Sequence, residues 1–251
     1  MNRKLFLIVL MIASAGIVSA QTRLPQNPTA AQLLSWIDNN EIYDTIQYEG
    51  EMVIEHQNRR VVKTMNAWAR GNTHSFIEFT NADDRGTKYL RRDGRLMVYS
   101  PDIEGVMLIS GHMLRESLMG SDLSYEDTLD NATLSSRYNP VFLPEETFNG
   151  RPVRVLELNA SSRTEAYPRR LLRVDMETGD VLQSELFALS GAKLKEFNLV
   201  RVEVIGGRRF PVEMEVRDLL RRGSRTVFTM RNAILDRPIA DSVFSERNLR
   251  R

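Results

Sequence analysis

The 251-residue sequence contains no cysteine. That excludes a disulfide framework, a thiolate zinc site, a thiol nucleophile and a lipid-modified N-terminal cysteine. Histidine is nearly absent as well. His56, His74 and His112 are the three in the chain, and none stands at a spacing from another histidine or a carboxylate that makes a metal motif. There is no nucleophile elbow, glycine-rich phosphate loop or serine–lysine pattern. Gly120-Ser121-Asp122 resembles a fragment of hydrolase motifs but has no partner histidine. The expectation is a protein that is not an enzyme and that uses no cofactor and no metal. A surplus of charge is also missing. The formal net charge is +1, and if the 34 basic side chains lose Arg3 and Lys4 with a leader, 32 remain against 33 acidic ones. A nucleic-acid partner is therefore not expected.

Long apolar runs are scarce too. Arg3 and Lys4 precede an apolar run at 5–18, and Val18-Ser19-Ala20 precedes Gln21. This is the pattern of a secretory signal peptide at 1–20, cleaved after Ala20. The run is too short for the roughly 20 residues that cross a bilayer core. The expectation is an exported, periplasmic protein, monomeric, with residues 21–251 as one domain. No linker rich in proline, glycine or serine divides those residues, and no repeat of 20 to 50 residues recurs.

What is present is alternation. Thr29 can cap a helix that gathers Leu33, Leu34, Trp36 and Ile37 on one side. From Ile46 the period becomes two: Ile46, Tyr48, Gly50, Met52 and Ile54 alternate with polar residues, as in a strand with one apolar face. Further strands are expected at 60–70, 74–80, 87–92, 95–100 and 106–110. A second run follows at 133–138, 153–159, 170–176, 181–189, 193–204, 210–219 and 225–235. Asp93-Gly94, Glu177-Thr178-Gly179-Asp180, Gly206-Gly207 and Arg222-Gly223 mark the hairpins. In the strand at 210–219, Phe210, Val212, Met214 and Val216 face opposite to Glu213, Glu215 and Arg217. About a dozen antiparallel strands in one row must close or curl to hide their edges.

Between the two runs, 111–130 carries Met113, Leu114, Leu118, Met119, Leu123, Tyr125 and Leu129 among charged residues, a spacing suited to short amphipathic helices. With the helix near Leu33, these residues could cover an apolar cavity, or they could simply fill a core. Asp122, Glu126 and Asp127 read as helix-start acids. The arginine doublets at Arg59-Arg60, Arg91-Arg92, Arg169-Arg170, Arg208-Arg209 and Arg221-Arg222 fall at strand ends or turns and read as surface, with lipid head groups or a membrane partner as the other possibility.

The segment Leu118-Met119-Gly120-Ser121-Asp122-Leu123-Ser124-Tyr125-Glu126-Asp127 resembles the signature of the LolA-like family, described as outer membrane lipoprotein-sorting proteins. Asp93-Gly94 followed by Leu96-Met97-Val98-Tyr99-Ser100-Pro101 is similar to that family's central hairpin. Further matches in the same order are Asn149-Gly150, 170–175, 191–195, 214–219 with Thr226, and the ending around Ser242-Val243-Phe244-Ser245.

The resemblance implies a mainly β (α+β) fold: a strongly curved, antiparallel, half-open β-barrel with a helical lid over an apolar cavity. It implies a periplasmic carrier that takes the acyl chains of a lipoprotein or lipid from the inner towards the outer membrane. An inner-membrane exporter would be the donor and an outer-membrane site the acceptor. The alternatives are a lipid- or lipoprotein-sensing regulatory domain on the same fold, or an accessory lipid-binding partner of an exporter. Cargo-contacting residues do not transfer from the family, so the candidate site rests on alternation and helical facing. Leu33, Trp36, Leu114, Leu118 and Met119 are expected on the lid side. Ile46, Tyr48, Met52, Ile54, Phe210, Val212, Met214 and Val216 are expected on the concave wall.

Overall fold

The computed structural model describes residues 27–129 and 133–250. The expected signal peptide lies outside them. Thr29 opens the first helix as anticipated. Its hydroxyl accepts the Gln32 amide at 3.2 Å, and the Gln32 side chain accepts the Thr29 amide at 2.9 Å, so two otherwise orphaned donors are satisfied reciprocally. Helix α1 (Ala30–Glu41) buries Leu33, Leu34, Trp36 and Ile37 and ends as Ile42 turns extended.

Fourteen strands follow: β1 (Thr45–His56), β2 (Arg59–Arg70), β3 (His74–Phe79), β4 (Lys88–Arg92), β5 (Arg95–Ser100), β6 (Gly105–Ile109), β7 (Tyr138–Phe142), β8 (Glu146–Phe148), β9 (Arg151–Ala160), β10 (Arg169–Asp175), β11 (Val181–Phe187), β12 (Lys193–Ile205), β13 (Arg208–Asp218) and β14 (Ser224–Leu235). They form one sheet in the order β6-β5-β4-β3-β2-β1-β14-β13-β12-β11-β10-β9-β7, with β8 paired to β9. Every pairing is antiparallel, and β6 and β7 are left as free ends, so the sheet is not closed. The first and last strands meet at its centre through a ladder from Ile46↔Leu235 to His56↔Ser224. Consecutive hairpins build the two wings. At the β4–β5 turn both Asp93 (φ 53°) and Gly94 (φ 71°) are left-handed, the conformation whose twist matches paired strands.

One expectation about elements is corrected and one element had not been foreseen. Residues 134–136 form a 3-10 turn rather than a strand, because the Asp38 carboxylate on α1 accepts the amides of Leu134 and Ser135, both at 2.9 Å. The strand starts at Tyr138 instead and includes Pro140, tolerated because β7 is an edge. The three-residue β8 was not anticipated at all.

The interruption between the wings is made of 3-10 turns at Gly111–Arg115 and Leu118–Gly120 and a short helix, α2 (Tyr125–Leu129). Its Met113, Leu114, Met119, Leu123, Tyr125 and Leu129 pack onto Met52, Ile54, Phe79, Tyr89 and Val98. On the opposite face of the same wing, Phe76, Leu90 and Met97 are covered by Phe244 and by Leu249 of α3 (Glu246–Leu249). Strands β3 to β5 are therefore apolar on both faces, which explains the unbroken run Leu96-Met97-Val98.

Candidate binding pocket

A pocket of about 430 Å³ lies between the C-terminal end of α1 and side chains of β1, β2, β3 and β10 to β14. Its walls are mostly apolar. Ile46 and Met52 of β1, Met65 and Ala67 of β2, and Ile77 of β3 face Leu172, Leu186, Phe197, Phe210, Met214 and Phe228 from the other wing. Leu118, Leu123, Thr128 and Leu134 complete the enclosure from the non-strand segments.

The ladder between β13 and β14 is short, running from Glu213↔Thr229 to Val216↔Thr226, whereas β12 and β13 stay paired out to Ile205↔Arg208. Pro211, which has no amide hydrogen to give a ladder, precedes the first β13–β14 pair. Phe210 and Met230 line the pocket beside this split.

Several polar groups interrupt the apolar lining. Arg209 binds Asp180 as a fork, Nε to Oδ1 at 2.8 Å and Nη2 to Oδ2 at 2.6 Å. Glu41 has no hydrogen-bond or ion-pair partner among the described residues, and it opens onto the pocket. Its side chain keeps accessible surface where it meets the cavity, with protein atoms packed around it. Burial first, and then the nearby Asp38 charge, push its pKa up to about 7. Burial likewise raises the Tyr43 and Tyr48 hydroxyls. Arg170, expected at the surface, is instead buried. Its guanidinium stacks on Tyr138 at 4.9 Å and Tyr167 at 5.5 Å, and its Nε donates to the Tyr138 hydroxyl at 2.8 Å.

Six of the thirteen candidate residues line the pocket: Ile46, Tyr48, Met52, Leu118, Phe210 and Met214. The other seven are placed elsewhere. Leu33 and Trp36 pack on Leu156, Leu158, Leu172 and Val174, and the Trp36 ring lies so close to Gly179 that a Cβ there would come within 2.3 Å of it. Ile54, Leu114 and Met119 belong to the cluster under the 111–129 segment, where the Tyr89 hydroxyl donates to the Met119 sulfur at 3.0 Å. Val212 is packed with Ile46 and Ala69. Val216 is fully buried where β12, β13 and β14 are all paired. Alternation identifies a face, not how far along the strand the face remains open. Phe197, Phe228 and Met230 were missed. Phe228 and Met230 stand two residues apart on β14, so the same alternation could have found them. On β12 a bulge between Leu199 and Arg201 breaks the period.

Asp122 is not a helix-start acid. Its buried carboxylate accepts the Asp218 amide at 3.0 Å, the Ser224 hydroxyl at 3.0 Å and the Thr226 hydroxyl at 2.6 Å. Arg221 donates to the carbonyls of Gly120 and Ser121. The segment is thus clasped to β13 and β14. Ser121 donates its hydroxyl to the Leu118 carbonyl at 2.7 Å. Asp127 does cap, accepting the Ser124 amide at 2.7 Å, and it also binds the Tyr167 hydroxyl and the buried Lys195 ammonium.

Residues 71–251 match a family model described as "uncharacterized protein". Among curated proteins nothing matches the chain significantly. Solved structures do. A DUF1329 family protein from Desulfovibrio piger is 25% identical, with a TM-score of 0.79 over 88% of this chain and 97% of that one. A domain from Vibrio parahaemolyticus named for outer membrane lipoprotein sorting is 19% identical, with a TM-score of 0.75 over 87% and 97%. A LolA superfamily protein from Nitrosomonas europaea is 23% identical, with a TM-score of 0.73 over 88% and 100%. The open antiparallel sheet is shared along nearly its whole length with these structures, and the family match takes in most of the chain: the protein belongs to that family.

Proposed function

We propose that the protein binds the acyl chains of a lipoprotein or lipid in this pocket and carries them through the periplasm from the inner towards the outer membrane, after cleavage behind Ala20. The observation that carries the reading is the pocket itself. At about 430 Å³ it falls within the roughly 300–1,000 Å³ typical of small-molecule sites. Strands β3 and β10, seven positions apart along the sheet, contribute to one cavity, as expected of a sheet curled into a half-open barrel. Helix α1 and the 111–129 segment would act as its lid.

The energetic case is simple. Each exposed methylene of an acyl chain costs about 0.8 kcal/mol in water, and an apolar wall recovers that cost without any covalent step. Release requires only that the covering segments move, and energy for loading would come from a donor exporter. The Vibrio parahaemolyticus domain named for lipoprotein sorting and the LolA superfamily protein share the fold and support this reading by analogy.

The test is native mass spectrometry of the protein taken gently from its own periplasm, followed by lipid extraction, alongside uptake of a fluorescent fatty-acyl probe. Stoichiometric acylated cargo is expected. Leu118→Asp and Met214→Asp should each lower probe uptake at least tenfold with the circular dichroism spectrum retained. A protein that is reproducibly empty and takes up no probe would sink the carrier reading.

A further inference from the structure

Three turns stand side by side at one end of the sheet, away from the Glu41 end of the pocket. The β1–β2 turn, the β13–β14 turn and the β11–β12 turn are brought together by the strand order β1-β14-β13-β12-β11. His56 pairs with Ser224, the Gln57 amide reaches the Gly223 carbonyl, and the Leu219 amide donates to the Leu194 carbonyl at 2.8 Å. Two pairs of side chains on this rim go unused by the fold. Leu189 and Leu220, on the tips of different hairpins, are 89% and 74% exposed, and neither belongs to a core cluster. The stretches 55–60, 188–193 and 217–225 also carry seven basic side chains, of which Arg60, Lys193, Arg217 and Arg225 pair with Glu55, Glu185, Glu196 and Glu215 and Arg221 holds the carbonyls of Gly120 and Ser121. Arg59 and Arg222 are exposed, with no carboxylate in ion-pair range among the described residues. The next turn along, at 82–85, is not basic, so the positive character is local to the rim.

We infer that this rim docks the protein onto a bilayer bearing anionic headgroups, with Leu189 and Leu220 entering the interface and the arginines meeting the phosphates. The charge complements such a surface. The leucines stand on projecting turn tips rather than in a groove. A fluid interface can receive separate tips without matching their shape, whereas a folded partner would need two fitted pockets. The inference concerns where the protein touches a membrane and does not depend on what fills the pocket.

The test is co-sedimentation of the protein with vesicles of phosphatidylethanolamine and phosphatidylglycerol, compared with vesicles of phosphatidylcholine alone. Binding to the anionic vesicles, weakened by salt, is expected. Arg59→Ser/Arg222→Ser and Leu189→Ser/Leu220→Ser should each lower the partition coefficient about tenfold or more. Each pair should leave acyl-probe uptake unchanged, which shows that the variants are folded and separates this inference from the carrier reading. Arg222→Glu provides an independent single-site check in the same direction. Absence of binding by the wild type, equal binding to both vesicle types, or variants that bind like the wild type would overturn the proposal.

Discussion

Glu41 is the residue whose chemistry is most at odds with its surroundings. It places a carboxyl at the edge of an apolar pocket, where burial and Asp38 raise its pKa to about 7 from an ordinary value of 4.5. The folded state therefore holds the proton more tightly than the unfolded chain does. The stability this contributes is complete below about pH 4.5 and is lost as the pH rises to about 7. Glu41→Gln should be no more stable than the wild type at pH 4 and more stable by about 1 kcal/mol at pH 8, a figure reduced because the side chain is open to cavity water. Urea unfolding at the two pH values checks this, and a difference that fails to grow with pH would contradict it. In the wild type, uptake of an acyl probe should also weaken above pH 7, when the cavity acquires a negative charge.

At the scale of elements, the segment that resembles the family signature is held by a buried carboxylate. Three donors from β13 and β14 converge on Asp122. Asp122→Asn would set an amide against two hydroxyls and should cost about 1–3 kcal/mol, read as a fall in the urea midpoint with unchanged slope. A loss under 0.5 kcal/mol would mean that the clasp is not what holds the segment.

This element also marks the limit of what the chain reveals before folding. The alternation of Ile46, Tyr48, Met52 and Ile54 and the Asp93-Gly94 turn made the strands and hairpins legible, because both signals are local. Asp122 looked like a cap because nothing within ten residues announces Ser224 and Thr226. Arg170 looked exposed because Tyr138, on β7, reaches it only after β7, β9 and β10 pair. Six of the thirteen candidate residues, read as one face, line the pocket. The extent of that face was not legible, because the packing of 111–129 closes one part of it and leaves another open.

At the scale of the whole molecule, the sheet is covered on two sides by different parts of the chain. The pocket and the 111–129 segment occupy one face. Phe244 and Leu249 near the C-terminus seal Phe76, Leu90 and Met97 on the other. A chain ending at Arg237 would lose that second cover. Removing two fully buried side chains should cost about 3–6 kcal/mol and produce dye-binding apolar surface, measured by urea unfolding and anilinonaphthalene sulfonate fluorescence. Unchanged stability would show that the outer face needs no cover.

The pairing of the first strand with the last has a consequence for how such a chain can be moved. β1 lies at the centre of the sheet, and one side of its ladder is supplied by residues 224–235. A polypeptide threaded through a narrow translocation channel with its N-terminus leading cannot finish its own centre until its final strand has passed. If this chain is exported in that way, its fold would complete only when the crossing is nearly over, and the topology would keep the chain pliable for as long as the passage requires.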